Sequence, residues 1–372
     1  MQGCSNQSRK HPSWSFVQVR NSSFFGVSIE ERFHASLGMI CRRALPQAGK
    51  AMLSAFLCLA VLPLAATAQD TPLDAAKHAY EKGDYTKAIE LLKPAAEKEP
   101  GNGEIHLLLT KCYLETKQWD AAVSSGEKAV ATNPKSSIYH QWLGDAYGQK
   151  ANHVSMLSAY PLARKTQKEF ETAVRLDETN FDAMLDLIEY DCTAPSIVGG
   201  GDDKAQALIQ KLMSLDPGEG HYGAGICKAQ KKDYAAADAE FAKALENKPK
   251  LVDRLYDIGD YFQQRGQADK LIAVADAGEA VAPDDPRGKF YRAVSWILQA
   301  EKLPEASKLL NEYSNQAPVR STYPKPWEVH YWMGKLYEAQ KNPTGAKAEY
   351  RAALKLEPKY KQAQDALKRL GG

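Results

Sequence analysis

The chain has 372 residues, of which 44% are hydrophobic and 25% charged, with no long low-complexity tract. That excludes a disordered or collagen-like polymer and leaves two or three ordinary domains, or one elongated repeat array. The formal charge of +2 averages two unlike segments: residues 1–68 hold seven Lys/Arg against two acidic residues, the rest 41 basic against 44 acidic. So balanced a body gives no general reason to expect nucleic acid or an anionic membrane as a partner.

Residues 1–38 are polar, Ser-rich and unpatterned, and read as a non-structural N-terminal extension. Arg42, Arg43 and Lys50 then precede an uncharged run, Ala51–Ala68, that ends in the small-x-small triplet Ala66-Thr67-Ala68. This is the pattern of a secretory signal peptide over 39–68, cleaved near Ala68-Gln69. The run is short for a membrane span and holds Pro63 near its end. A periplasmic or secreted mature chain, with no stable membrane span, is the expectation.

From residue 69 the chain repeats itself. Gly103–Ser136 is the most regular unit, 34 residues that read as two amphipathic helices, A and B, joined by a tight turn. The copy before it places Gly83, Tyr85, Ala88, Ala95 and Pro100 where this one has Lys117, Trp119, Ala122, Ala129 and Pro134. The small residues let B approach A, and the proline stops B. The third copy, Ser137–Asn180, carries Leu143, Gly144 and Tyr147, then inserts about ten residues around NHVSMLSAYPLARK before a helix B with Phe170 and Ala173. The fourth, from Phe181, has the loop TAPSIVGGGDDKA ahead of Ala205, Leu208, Leu212 and Pro217. Copies five to seven span about Gly218–Leu251, Val252–Asp285 and Arg287–Pro318. A connector, VRSTYPKP, leads to the eighth, Trp327–Tyr360, with Gly334, Tyr337, Ala346, Tyr350, Ala353 and Pro358 in register. The array runs over 69–358, and residues 359–372 read as a charged capping helix.

This register resembles the tetratricopeptide repeat, over nearly all of residues 69–372. The resemblance implies an all-α fold, a right-handed superhelical solenoid of about eight antiparallel helix pairs plus a C-terminal capping helix. It also implies that the A helices line a concave groove. The AP-x-I-V-G-G-G loop and the insertion before it are similar to those of uncharacterised secreted bacterial members.

With the core assigned, positions 2, 5, 9, 12 and 13 of each unit form a second stripe, which faces the groove in this family. Position 5 reads Tyr222, Tyr256, Tyr291 and Tyr331 in the last four copies. Position 13 reads Gln230, Gln264 and Gln299, position 9 reads Asp260, Ser295 and Lys335, and Lys228 stands two positions beyond it in the fifth copy. A ladder of phenols and amides suits an extended peptide or polymer held along its backbone. The alternative is that each tyrosine packs over the neighbouring A helix. A carboxylate clamp, as in chaperone-binding members, is rejected, because copies two to four carry Leu107, Gln141 and Leu185 at position 5 and no matching groove Asn.

Three cysteines follow residue 68, Cys112, Cys192 and Cys227. An odd number so widely spaced makes no disulfide framework, and Cys112 and Cys227, at the tenth position of their A helices, are expected to be small buried hydrophobes. His106, His140, His221 and His330 share position 4. Successive rungs of a solenoid diverge, so packing histidines are expected rather than a metal site. Gly199–Lys204 lacks the ending and the preceding strand of a phosphate loop, and Asp202 and Asp203 are read as caps of the next helix. The insertion and this loop are expected on one edge, where Met156, Leu157, Tyr160, Ile197 and Val198 offer an apolar contact, or pack on each other.

No catalytic arrangement stands in a plausible context, and no cofactor is implied. The expected function is a non-catalytic scaffold or adaptor of the bacterial cell envelope, holding a protein or extended peptide in the concave groove. The alternative is a module binding carbohydrate or cell-wall polymer with the same groove.

Overall fold

The computed structural model describes residues 71–247, 251–320 and 322–371; the extension and signal-peptide readings for 1–68 lie outside the described residues. Seventeen α-helices follow one another in the described residues, without a strand. They pair as α1 (Pro72–Glu81) with α2 (Tyr85–Lys98), α3 (Gly103–Glu115) with α4 (Trp119–Thr132), α5 (Ser137–Asn152) with α6 (Met156–Leu176), and α7 (Phe181–Thr193) with α8 (Asp202–Leu215). Then come α9 (Pro217–Gln230) with α10 (Tyr234–Glu246), α11 (Val252–Gln264) with α12 (Ala268–Val281), α13 (Arg287–Gln299) with α14 (Leu303–Gln316), and α15 (Pro326–Ala339) with α16 (Pro343–Leu356). A last helix, α17 (Lys361–Arg369), packs on α16 and buries Ala363 and Ala366.

Local chemistry sets the boundaries. Side chains of Asn102, Ser136, Asn180 and Asp216 accept backbone N–H groups at the starts of A helices, and those of Asp84, Asp233 and Asn342 do so for B helices. The A–B turn passes through a left-handed residue at the same unit position in five copies: Gly83, Lys117, Lys232, Gly266 and Lys341. Lysine adopts that conformation at a cost, glycine at none.

In the third, fifth and eighth pairs the helices meet at a glycine opposite an aromatic ring. A Cβ built on Gly144 lies 2.5 Å from Phe170, on Gly225 2.6 Å from Phe241, and on Gly334 2.4 Å from Tyr350. Each ring therefore lies on bare backbone, and A and B close to a separation no larger residue permits. The core extends from pair to pair in three clusters that adjoin at Leu162 and Tyr331, because a single pair leaves its apolar stripes half covered.

The third copy departs from the sequence expectation. Its ten-residue insertion lengthens both helices instead of the turn between them: α5 has 16 residues and α6 has 21. Ala151, Ala159 and Ala163 are buried along this stretch, so the two lengthened helices pack on each other beyond the ordinary turn. The loop of the fourth copy folds back onto them. The Tyr190 hydroxyl donates to the carbonyls of Ala163 (2.8 Å) and Val198 (2.9 Å), and Gln167 Nε2 donates to that of Gly199 (2.7 Å). Asp202 and Asp203 are not side-chain caps; they lie in the first turn of α8, where acidic groups favour the helix dipole.

Candidate functional site

Curvature identifies the inner face. A helices of successive pairs touch one another along most of the array, whereas among the strongly contacting elements B helices do so only at α10 and α12. The side on which helices crowd is the inside of the bend, so the concave surface is built from A helices.

The residues expected to line it divide sharply. Tyr222, Tyr256 and Tyr291 are each 1% exposed, so the packing alternative holds for them: they fill the junctions between pairs and are not open rungs. Tyr256 stacks on Tyr291 with ring centroids 5.5 Å apart, and Gly278 and Gly259 make room for the two rings. Ser295 is fully buried and donates to the Ala268 carbonyl at 2.8 Å, so it ties α13 to the start of α12 and offers nothing to a ligand. Tyr331 is half-buried among Trp332, Tyr350 and Tyr360. For the tyrosines the physical reason is that a phenol at position 5 is long enough to reach a neighbouring helix, and burial of its ring outweighs exposure.

The amides also have partners. Gln230 Nε2 donates to Glu189 at 3.1 Å and Gln299 Nε2 to Asp269 at 2.8 Å, whereas Gln264 is exposed. Asp260 accepts from the Tyr291 hydroxyl at 2.7 Å, and burial pushes its carboxyl up to about 6 against that bond and the attraction of Arg287 and Lys325. Lys228 and Lys335 are half-buried on α9 and α15. Of the edge residues, Met156, Leu157, Tyr160 and Ile197 are exposed, and Leu157 is 88% so. Val198 is 1% exposed and belongs to the core, drawn in by its carbonyl's bond to Tyr190.

Sequence reading missed a charged network at the N-terminal ends of the A helices. Arg254, 1% exposed, donates to Glu219 (3.2 Å) and Asp182 and lies over the Tyr222 ring. Arg287 is held by Asp253 and Asp285, each at 2.6 Å, between the rings of Tyr256 (4.4 Å) and Tyr323 (4.3 Å). The acids recur at unit position 2, as Asp182, Glu219 and Asp253, a signal visible in the register. The position-4 histidines are pins within pairs: His140 to Glu169, His221 to Glu240 (2.7 Å) and His330 to Glu349 (2.7 Å), while His106 bonds the Pro100 carbonyl at 3.0 Å.

The cysteine expectation also fails in part. Cys192 and Cys227 form a disulfide, Cα atoms 5.6 Å apart, between the A helices α7 and α9. Spacing alone hid the pair, because a 34-residue period brings positions 35 apart onto adjacent helices. Cys112 is free and buried, and burial raises its thiol to about 12.

Two family models, both described as tetratricopeptide repeat, match residues 79–145 and 327–369. This is a tetratricopeptide repeat protein. Solved structures of the same repeat type resemble it loosely. A thermophilic tetratricopeptide repeat protein of Thermus thermophilus is 21% identical over 51% of this chain and 96% of that one, with a TM-score of 0.42. A tetratricopeptide repeat protein from Parabacteroides merdae is 17% identical over 81% and 98%, with a TM-score of 0.42. Compared with curated proteins, the chain matches none. The repeat family is one of protein-interaction scaffolds and is generally non-catalytic. Among the described residues no helix is long and apolar enough to cross a membrane.

Proposed function

We propose that this tetratricopeptide protein is a scaffold of the bacterial cell envelope that holds an extended segment of a partner protein on its concave, A-helix face. The observation that carries the reading is the crowding of A helices, which bends the array and turns the A-helix face inward. With Tyr222, Tyr256 and Tyr291 buried, the stripe at positions 5, 9 and 13 leaves Gln264, Lys335 and half-buried Tyr331 for a partner there. The Cys192–Cys227 disulfide supports an oxidising compartment, as does the signal-peptide pattern ending at Ala68.

The test is capture from an envelope extract with the mature chain, followed by the double substitution Gln264→Ala and Lys335→Glu. A stoichiometric protein partner lost in the double variant supports the reading. Undiminished capture by the double variant overturns the assignment to this face, and retention of glycan without any protein favours a polymer-binding module. N-terminal sequencing of the mature chain checks the compartment: a start near Gln69 is expected.

A further inference from the structure

The connector between α14 and α15 touches the far end of the array. Arg320 Nε donates to the backbone carbonyl of Glu81, at the C-terminus of α1, although 239 positions separate them. The Val319 carbonyl lies against Gly83, where a Cβ would approach it to 1.7 Å, so only the bare glycine of that turn admits the contact. The first helix pair and the stretch after the seventh thus meet, and the array closes on itself.

The two ends of the connector are held very differently. Near α15 it is rooted: Arg287 Nη1 donates to the Thr322 carbonyl at 3.2 Å, the Tyr323 ring lies over the Arg287 guanidinium, and the Tyr313 hydroxyl donates to the Pro324 carbonyl at 2.8 Å. Arg287 and Tyr313 are themselves buried, and Pro324 and Pro326 stiffen the backbone on either side of Lys325. The Lys325 ammonium turns back to the Arg320 carbonyl and braces the tip. Among the described residues, Arg320 and the Val319 backbone reach the end of α1 and the turn after it, the Lys325 ammonium feels the Glu115 carboxylate of α3, and the Val319 side chain is 64% exposed. A stiff arm with a buried root and a thin polar tip parts at the tip first, because few apolar contacts must be broken there.

We infer that Val319, Arg320 and Thr322–Lys325 form a latch that closes the solenoid into a ring, and that parting of Arg320 from Glu81 opens its concave face. The value of that opening to a partner rests on the groove reading above; the latch does not. With the latch shut, an extended chain enters the concave face only by threading; with it parted, the chain enters from the side.

Arg320→Ala in the mature chain removes the tip bond and leaves the root intact. A charge-assisted hydrogen bond corresponds to a factor of about ten or more in an equilibrium. Hydrogen exchange at the turn of residues 81–84 is expected to quicken about tenfold, small-angle scattering to show a longer maximum dimension, and circular dichroism to show unchanged helix content. An amine-reactive reagent is expected to label Lys335 faster in the variant, relative to Lys308 on α14. Unchanged exchange and an unchanged dimension in Arg320→Ala overturn the latch. Unchanged labelling beside a lengthened dimension overturns its control of the concave face. No partner is read in these measurements, so failure of the groove reading leaves their outcome as it is.

Discussion

Arg254 and Glu219 are 35 positions apart in sequence, each 1% exposed, and joined by a 3.2 Å ion pair across the junction of the fifth and sixth helix pairs. Two charges so deeply placed are stable only together. Arg254→Met leaves Glu219 buried without its guanidinium, and is expected to cost about 3–5 kcal/mol. Urea melts check this, and Arg254→Met with Glu219→Gln is expected to recover a large part of the loss.

The Cys192–Cys227 bond closes a loop of 35 positions between neighbouring A helices. By the loop-closure relation its removal costs about 3–4 kcal/mol. Thermal melts of the oxidised chain are expected to shift down on adding dithiothreitol, and those of Cys192→Ser with Cys227→Ser to be indifferent to it. A wild-type melt that ignores the reductant would show that the bond does not form.

Gly225 and Gly334 lie against Phe241 and Tyr350 with no room for a Cβ. Gly225→Ala gains helix propensity but forces the pair apart, with an expected net loss of about 1–3 kcal/mol. An exposed helical control, Ser124→Ala, is expected to be neutral in the same urea series.

Burial pushes the Asp191 carboxyl up to about 7 from 3.8, despite Lys204 nearby and the Gln167 amide. Burial, with help from the Asp260 charge, pushes Glu328 up to about 7 from 4.5. A carboxyl raised on folding binds its proton more tightly in the native chain. Its contribution to stability is complete below about pH 4 and is lost as pH rises through 7. The melting temperature of Asp191→Asn is therefore expected to fall less between pH 5 and pH 8 than that of the wild type. Equal falls would mean that Asp191 is ionised across the range.

The repeat type was legible because its determinants are local and periodic. Glycine opposite an aromatic ring, alanine on helix B and proline at its end recur at a fixed interval, and each acts on its immediate neighbours. The candidate site was less legible. Tyr256 and Tyr291 occupy the stripe expected of groove residues, yet whether a phenol at that position opens to solvent depends on how close the next A helix lies, and that distance is set by Gly278 and Gly259. The insertion around Met156 interrupts the period, so the period says nothing of its structure, whereas Ala151, Ala159 and Ala163 give the lengthened helices a surface of their own to bury.

What the sequence determined by itself was the helix pair, its register and the order of the array, all of which rest on contacts within about one repeat length. Tertiary structure alone decided three relationships. Cys192 meets Cys227, Arg287 sits between Tyr256 and Tyr323, and Arg320 reaches Glu81. The first two depend on the offset between neighbouring pairs. The third depends on the sum of those offsets over seven pairs, since a small rotation at each junction, repeated, brings the two ends of a long array together.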